Sequence, residues 1–319
     1  MSSQSAINAG LIGYGYWGPN LARNLENSTR FNLKYICDLE RSRLQSASLI
    51  HKSTCLVEDS NELIESTEVD AIFIASPVRT HYTLAKKALK SGKHVFVEKP
   101  ITESFQEALE LVTLADFNNL TLMVDHTFIF TGAVQEINRL IKNNDLGSLL
   151  YYCSERVNLG IFQTDVNVLW DLAVHDLSIL NYINPSQPKA VSACGMQHIT
   201  NSPTNIAFLT LYYPSNFIAH INVNWLSPVK LRRCLIGGTK KMLVYDELNI
   251  DEKIKIYDKG VELKSTVLAK DEIYNAVVGY RTGDIAIPKL DPTEALRTEL
   301  YHFADSIEAG SPPRSSGVE

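Results

Sequence analysis

Gly13-Tyr14-Gly15-Tyr16-Trp17-Gly18-Pro19 is the stretch that decides the fold. An apolar strand candidate, Ile7–Ile12, runs into it and a helical pattern, Pro19–Leu25, leads away. In that setting G-x-G-x-x-G has a physical reading. Gly13 allows the tight turn, Gly15 lets the backbone approach a pyrophosphate, and Gly18 allows helix and strand to pack closely. Pro19 suits a first helical turn, where its missing N–H costs no bond. The free N–H groups and the dipole at that helix start favour phosphate. Asp38 closes a second strand, Phe31–Cys37, 20 residues after Gly18. A carboxylate there takes the ribose hydroxyls of a dinucleotide and repels the extra phosphate of NADP. Arg41 and Arg43, close behind, soften that preference. NAD is therefore the expected cofactor, with NADP not excluded.

Working outward, short apolar runs alternate with helical patterns through the first 125 residues. The strand candidates are Thr54–Val57, Ala71–Ala75, His94–Val97 and Leu120–Val124, interleaved with helices such as Tyr82–Ser91 and Phe105–Asn118. Strand–helix alternation implies parallel pairing through crossover helices. Continuous apolarity within the strands implies a sheet covered on both faces. After a helix at Gly132–Lys142 the rhythm changes. Leu149–Asn158 reads as a strand and Leu169–Ile183 as a helix. Successive strand-like runs follow at Ala190–Gln197, Asn205–Tyr213, Phe217–Trp225, Lys230–Gly237, Met242–Asp246 and Lys253–Tyr257. Turns such as Tyr213-Pro214-Ser215-Asn216 make that sheet mostly antiparallel. A late helix spans Thr293–Ala309. The expected fold class is α/β, with a doubly wound parallel sheet first and an α/β domain with a large, mostly antiparallel sheet second. The boundary falls near residue 126, giving domains 1–126 and 127–319.

The composition fits two globular domains: 319 residues, 45% hydrophobic and 21% charged. A net charge of −6 with no basic patch argues against nucleic acid as a partner. No apolar run is long enough to span a membrane, and the polar start Met-Ser-Ser-Gln-Ser is not a secretory signal. The five cysteines are scattered, with no CxxC pair, as in a cytoplasmic protein with reduced thiols. No ligand cluster points to a metal.

Three further segments carry chemistry. Ser76-Pro77, with His81 just beyond, follows a buried strand at the carboxyl end, where open sheets bind ligands. Glu98-Lys99-Pro100 ends the next strand. Pro100 cannot continue pairing and biases Lys99 toward an extended shape. In the helix that begins at Leu169, Trp170, Ala173, Val174 and Leu177 form an apolar stripe, while Asp171 and His175, four apart, share a different face. A carboxylate beside an imidazole fixes its tautomer and favours its protonated form. A solvated surface pair is the blander meaning of the same spacing.

Together these segments resemble the Gfo/Idh/MocA oxidoreductases, in matching order over nearly the whole chain. The glycine loop is shared with many folds. Glu98-Lys99-Pro100 followed some 70 residues later by Asp171-x-x-x-His175 is far more specific. The resemblance implies an N-terminal Rossmann domain, a C-terminal domain carrying the large sheet, substrate between the two, and a homo-oligomer (dimer or tetramer) built on the open sheet face. It implies that Gly13, Gly15, Tyr16, Trp17, Gly18, Asp38, Ser76, Pro77, His81, Glu98 and Lys99 serve the cofactor. Lys99 would orient the substrate hydroxyl and share in proton movement, His175 would be the general acid/base, and Asp171 would contact substrate or the histidine. Arg156, Asn158 and Asn167 are candidate substrate contacts. The loop Gly15–Asn20 and the segment Asn167–Ala173 look like members linked to nucleotide sugars and surface polysaccharides, with an inositol or free-sugar dehydrogenase as the alternative. A dinucleotide-binding regulator without turnover is the alternative of another class. Family chains run on past Ser316-Gly317 into another helix, where this sequence stops at Glu319.

Overall fold

The computed structural model describes residues 6–160, 166–263 and 278–318. They form two compact units. One runs to Phe130 and takes up the chain again from Thr293, and the other is Thr131–Pro292.

The first unit is built on β1 (Ile7–Ile12), β2 (Phe31–Cys37), β3 (Cys55–Val57), β4 (Ala71–Ile74), β5 (His94–Glu98) and β6 (Leu122–Asp125). Their order is β3-β2-β1-β4-β5-β6, every pair parallel. The order reverses direction between β1 and β4, and open sheets of this kind bind ligands at the carboxyl ends beside that point. The helices are α1 (Gly18–Glu26), α2 (Arg41–Ile50), α3 (Ser60–Ile64), α4 (His81–Lys90) and α5 (Phe105–Phe117). Ser104 caps α5 by accepting from the Glu107 N–H at 3.3 Å, the Ser-x-x-Glu start that its sequence spells. One sheet face packs Ile72, Ile74, Val95 and Val97 against Ala85, Leu89 and Leu111.

The opposite face explains where the chain's last helix goes. The sequence reading assigned 127–319 to the second domain. Instead α8 (Ala295–Ala309, numbered after α6 and α7 below) belongs to the first unit. Phe303 is fully buried, with its ring centroid 6.3 Å from Phe31 and 5.6 Å from both Phe73 and Phe96. Arg30 pairs with Asp305 and Glu308 at 2.7 Å each. Without α8 the apolar face carrying Phe31, Phe73 and Phe96 would lose its cover, and burying a phenylalanine contributes about 2–3 kcal/mol.

Among the described residues the second unit holds α6 (Gly132–Lys142), α7 (Val174–Ile183) and eight strands. These are β7 (Leu149–Leu159), β8 (Ala190–Met196), β9 (Ile206–Tyr212), β10 (Ile218–Asn224), β11 (Leu226–Gly238), β12 (Met242–Asp246), β13 (Ile254–Leu263) and β14 (Val278–Ala286), in the order β14-β13-β12-β11-β7-β10-β9-β8. Among the described residues only β7 and β10 of this sheet pair parallel. Alternation sets the two faces: Ala219, Ile221 and Val223 of β10 are buried, while Ile218 and His220 between them are exposed. Among the described residues, no helix is long and apolar enough to cross a membrane.

Candidate active site

In the first unit the glycine loop joins β1 to α1, and its three glycines answer to different constraints. Gly13 has φ +99°, a left-handed conformation, and a Cβ there would lie 2.5 Å from the Ala75 carbonyl oxygen. A Cβ on Gly18 would lie 2.2 Å from the Gly13 carbonyl oxygen. Packing alone demands glycine at both. At Gly15 it does not, since a Cβ would meet only the Arg43 guanidinium, at 3.5 Å. A glycine that packing does not require leaves bare backbone open to a ligand, as a pyrophosphate needs. No side chain caps the start of α1; Pro19 has no N–H and the Asn20 N–H bonds back to the Trp17 carbonyl at 2.9 Å, which leaves the Gly18 N–H to meet an anion at the helix start. The residues present therefore fit a dinucleotide.

Asp38 is buried just beyond β2 and grips this loop. Its Oδ2 accepts the Tyr14 N–H at 2.7 Å and its Oδ1 accepts the Glu40 N–H at 2.8 Å. Arg43 stands 3.5 Å from the same Oδ2 and pairs with Glu40 at 2.8 Å. The sequence read Asp38 as a ribose ligand; the structure adds that it first braces the loop. A second brace was not legible. The Tyr14 hydroxyl lies 3.0 Å from His51 Nε2, and His51 Nδ1 lies 2.8 Å from Glu26. Burial, and then Glu26, raise the Tyr14 pKa above its ordinary value, so the phenol stays neutral. Tyr16 projects from the loop 92% exposed, while the Trp17 indole N–H donates to Asp125 at 2.9 Å.

At the ends of β4 and β5, Ser76 and Pro77 open a short turn in which the Ser76 hydroxyl lies 2.7 Å from that of Thr80. His81 is buried. Its ring nitrogens lie 2.8 Å from the Ser76 carbonyl and 2.9 Å from the Pro100 carbonyl. The ring thus bridges the segments that follow β4 and β5. Glu98 ends β5, and Lys99 precedes Pro100 through a cis peptide bond.

In the second unit Asp171 lies in a widened turn, Leu169–Ala173, in which Val174 N–H bonds back to Leu169, five residues earlier. Such π-turns recur at functional sites. Here it rotates the helix face. The buried positions are Ala173, Asp176, Ile179, Leu180 and Ile183, and Trp170 is exposed, in place of the stripe through Trp170 and Leu177 that α-helical spacing predicts. Asp171 is anchored: its Oδ2 accepts the indole N–H of buried Trp225 at 3.0 Å. Asn167 caps the turn, its side-chain oxygen accepting from the N–H groups of Leu169 and Trp170 at 3.0 and 3.2 Å. His175 is the second residue of α7, half-buried, one residue before Asp176.

Asp176 leads to a feature the sequence did not show. Its carboxylate takes Arg156 Nε at 2.8 Å, and Arg156 also reaches Glu247 at 3.3 Å. Glu247 in turn pairs with Arg232 at 2.6 Å. Burial works against the Arg156 charge, but Asp176 and then Glu247 outweigh it and hold its proton more tightly than usual. The structure thus places Arg156 in a buried ion network, whereas Asn158 and Asn167 remain half-buried. An acid on the buried face of α7 and an arginine at an inward strand position were the available signals.

A dinucleotide loop on a doubly wound sheet, an Glu-Lys-Pro strand end and an Asp-x-x-x-His turn define a class of nicotinamide oxidoreductase. The chain belongs to the GFO/IDH/MocA oxidoreductase family: the model of its NAD-binding Rossmann fold matches residues 7–126, and that of its C-terminal domain residues 134–244. The chain is 27% identical over 254 residues to a UDP-N-acetylglucosamine 3-dehydrogenase of Acidithiobacillus ferrooxidans, covering 79% of this chain and 74% of that one. It is 26% identical over 328 residues to a scyllo-inositol 2-dehydrogenase (NAD(+)) of Bacillus subtilis, covering 98% and 90%. Its matches span only 66% and 53% of the lengths of uncharacterized oxidoreductases from Bacillus subtilis and Streptococcus pneumoniae. In fold it is similar to an oxidoreductase from Magnetospirillum magnetotacticum, with a TM-score of 0.83 at 24% identity over 98% of this chain and 96% of that one.

Proposed function

We propose that the chain is an NAD-dependent sugar oxidoreductase that interconverts a ring secondary alcohol and its ketone, acting on a nucleotide-linked sugar. The observation that carries this reading is the turn in which Asp171 is fixed by Trp225, four residues before His175. Oxidising a secondary alcohol requires a hydride acceptor, a base near neutral pH and positive charge for the developing alkoxide. When bound, the nicotinamide takes or returns the hydride. His175 takes the hydroxyl proton in oxidation and returns it in reduction. Lys99 supplies the positive charge and orients the hydroxyl. Asp171, immobilised by the indole, holds the reacting group in place. The relative from Acidithiobacillus ferrooxidans, a UDP-N-acetylglucosamine 3-dehydrogenase, supports the nucleotide-sugar assignment.

Purified protein mixed with NAD⁺ or NADH and a panel of UDP- and dTDP-sugars tests the assignment at the reduced-nicotinamide absorbance band. Turnover of a panel member is expected. Silence across the panel with turnover of free inositols refutes the nucleotide part and establishes the second reading, which the inositol dehydrogenase relative favours. The active form is a dimer or tetramer in which a second copy covers the face of the large sheet that exposes Phe208, Tyr212 and Ile218. Light scattering checks this, with a monomer as the contrary result.

A further inference from the structure

Three carboxyl groups converge at the ends of β5 and β6, away from water. Glu98 and Asp125 are register neighbours on the two strands, and Glu299 enters from α8. Asp125 is buried and acts only as an acceptor. Its Oδ2 takes the Trp17 indole N–H at 2.9 Å, and its Oδ1 takes the backbone N–H of Thr127 at 3.2 Å and the Thr127 hydroxyl. Glu299 is fully buried, with Oε1 accepting the His126 N–H at 3.0 Å. That leaves Glu299 Oε2 and Glu98 Oε1, both sealed from solvent and without a donor. Buried polar atoms rarely stay unpaired. Protonating both glutamates resolves it: each side chain lies within hydrogen-bond reach of Asp125, and the Thr127 hydroxyl, which also reaches Glu299, can turn from Asp125 so that its lone pairs accept both acid O–H groups. Burial, reinforced by Asp125, holds both glutamates well above the usual carboxylate range. The neighbours do not reverse this. His126 is pushed down to about 4 by burial and is neutral near pH 7, and Lys99 opposes the shift at Glu98 without cancelling it.

We propose that Glu98, Asp125 and Glu299 form a proton-sharing triad carrying one negative charge, and that Asp125 is a positioning residue that ties Trp17 of the dinucleotide loop to the strand end bearing Lys99. The positioning half rests on the dinucleotide reading of Gly13–Gly18; the shared protons do not. In effect the loop's geometry depends on a carboxylate whose own place depends on two retained protons. This makes the cofactor site sensitive to rising pH.

Two experiments test this. In the first, melting temperatures of wild type and Glu299→Gln are followed from pH 5 to 8 without cofactor. Glutamine reproduces a neutral acid, its oxygen accepting from His126 and its amide donating to Asp125. Because the folded protein holds a proton that the unfolded chain releases, wild-type stability falls as pH rises from the ordinary glutamate value toward the raised one. The variant lacks the Glu299 share of that slope and keeps the share of Glu98. It should therefore gain on wild type by roughly 2–4 °C per pH unit. Glu98→Gln should behave alike, which guards against a variant that fails to fold. A difference that is flat with pH, or that favours wild type at pH 8, overturns the shared protons. In the second, NADH affinity is measured for Asp125→Asn, Trp17→Phe and the double variant. Each single change should raise Kd by about tenfold, as loss of a hydrogen bond to a charged group does, and the double change should add little. Unchanged affinity, or effects that simply add, overturns the positioning role. A wild-type chain that shows the slope but binds no NADH refutes the dinucleotide reading and the positioning role with it, and leaves the shared protons standing.

Discussion

Arg156→Met isolates the buried ion network beside the His175 helix. Arg156 and Asp176 have side chains only 5% and 6% exposed, and their 2.8 Å contact is the sole ion pair recorded for Asp176 among the described residues. Glu247 keeps Arg232 at 2.6 Å when Arg156 is removed, so the damage concentrates on Asp176. Leaving one partner of a buried pair uncompensated costs about 3–5 kcal/mol. For a unit spanning Thr131–Pro292, each kcal/mol moves the melting temperature by roughly 2–4 °C. The expected loss is therefore on the order of 10 °C by differential scanning calorimetry, in the transition that reports the second unit. Replacing the pair as Arg156→Met with Asp176→Leu should restore most of it, because apolar side chains of similar volume tolerate such sites. The reasoning is refuted if Arg156→Met melts within about 2 °C of wild type while the substrate KM rises. That result would make Arg156 the substrate contact its sequence position first indicated.

Two further changes probe the cofactor side. Gly15→Ala meets no packing contact closer than Arg43 at 3.5 Å, so the cofactor-free melting temperature should hold while NADH affinity falls at least about tenfold, whereas Gly18→Ala, at 2.2 Å from the Gly13 oxygen, should lower both; calorimetry and fluorescence titration separate them. Asp38→Ser removes the carboxylate that repels a 2′-phosphate and releases Arg43 from its 3.5 Å contact there while Glu40 keeps its own, so kcat/KM for NADPH relative to NADH should rise by about tenfold or more; an unchanged ratio would leave Asp38 only its bracing role.

How much of this was legible follows from how local each signal is. The glycine loop and Asp38 were, because a turn, a helix start and a strand end impose their residue types over a few positions. The strands of the first unit were equally readable, since burial on both faces makes them continuously apolar. β14 was not, because Val278–Ala286 contains Gly279 and Gly283 and takes its strand form from pairing with β13. The helix holding Phe303 was visible, but nothing local says which apolar face Phe303 covers. The π-turn escaped because one inserted residue looks the same as α-helical sequence, and it moved Trp170 out of the predicted stripe. Asp125, Asp176 and Glu299 escaped because a charged residue in an apolar run reads as a surface position. Glu299, between Leu296, Leu300 and Phe303 on one helix face, carried a signal of its own, as Asp176 did on α7.

The most direct test of the central claim, that Lys99 and His175 run proton chemistry beside a bound dinucleotide, is turnover measured with NADH binding on the Lys99→Ala and His175→Ala variants. NADH affinity of His175→Ala should stay within about threefold of wild type, and turnover of both variants should fall at least about 100-fold, the scale of losing a general acid/base. Variant turnover within a few-fold of wild type would contradict the roles of Lys99 and His175 and place the proton chemistry on other groups, whereas no turnover by wild type on any sugar alcohol while NADH still binds would identify a dinucleotide-binding regulator instead.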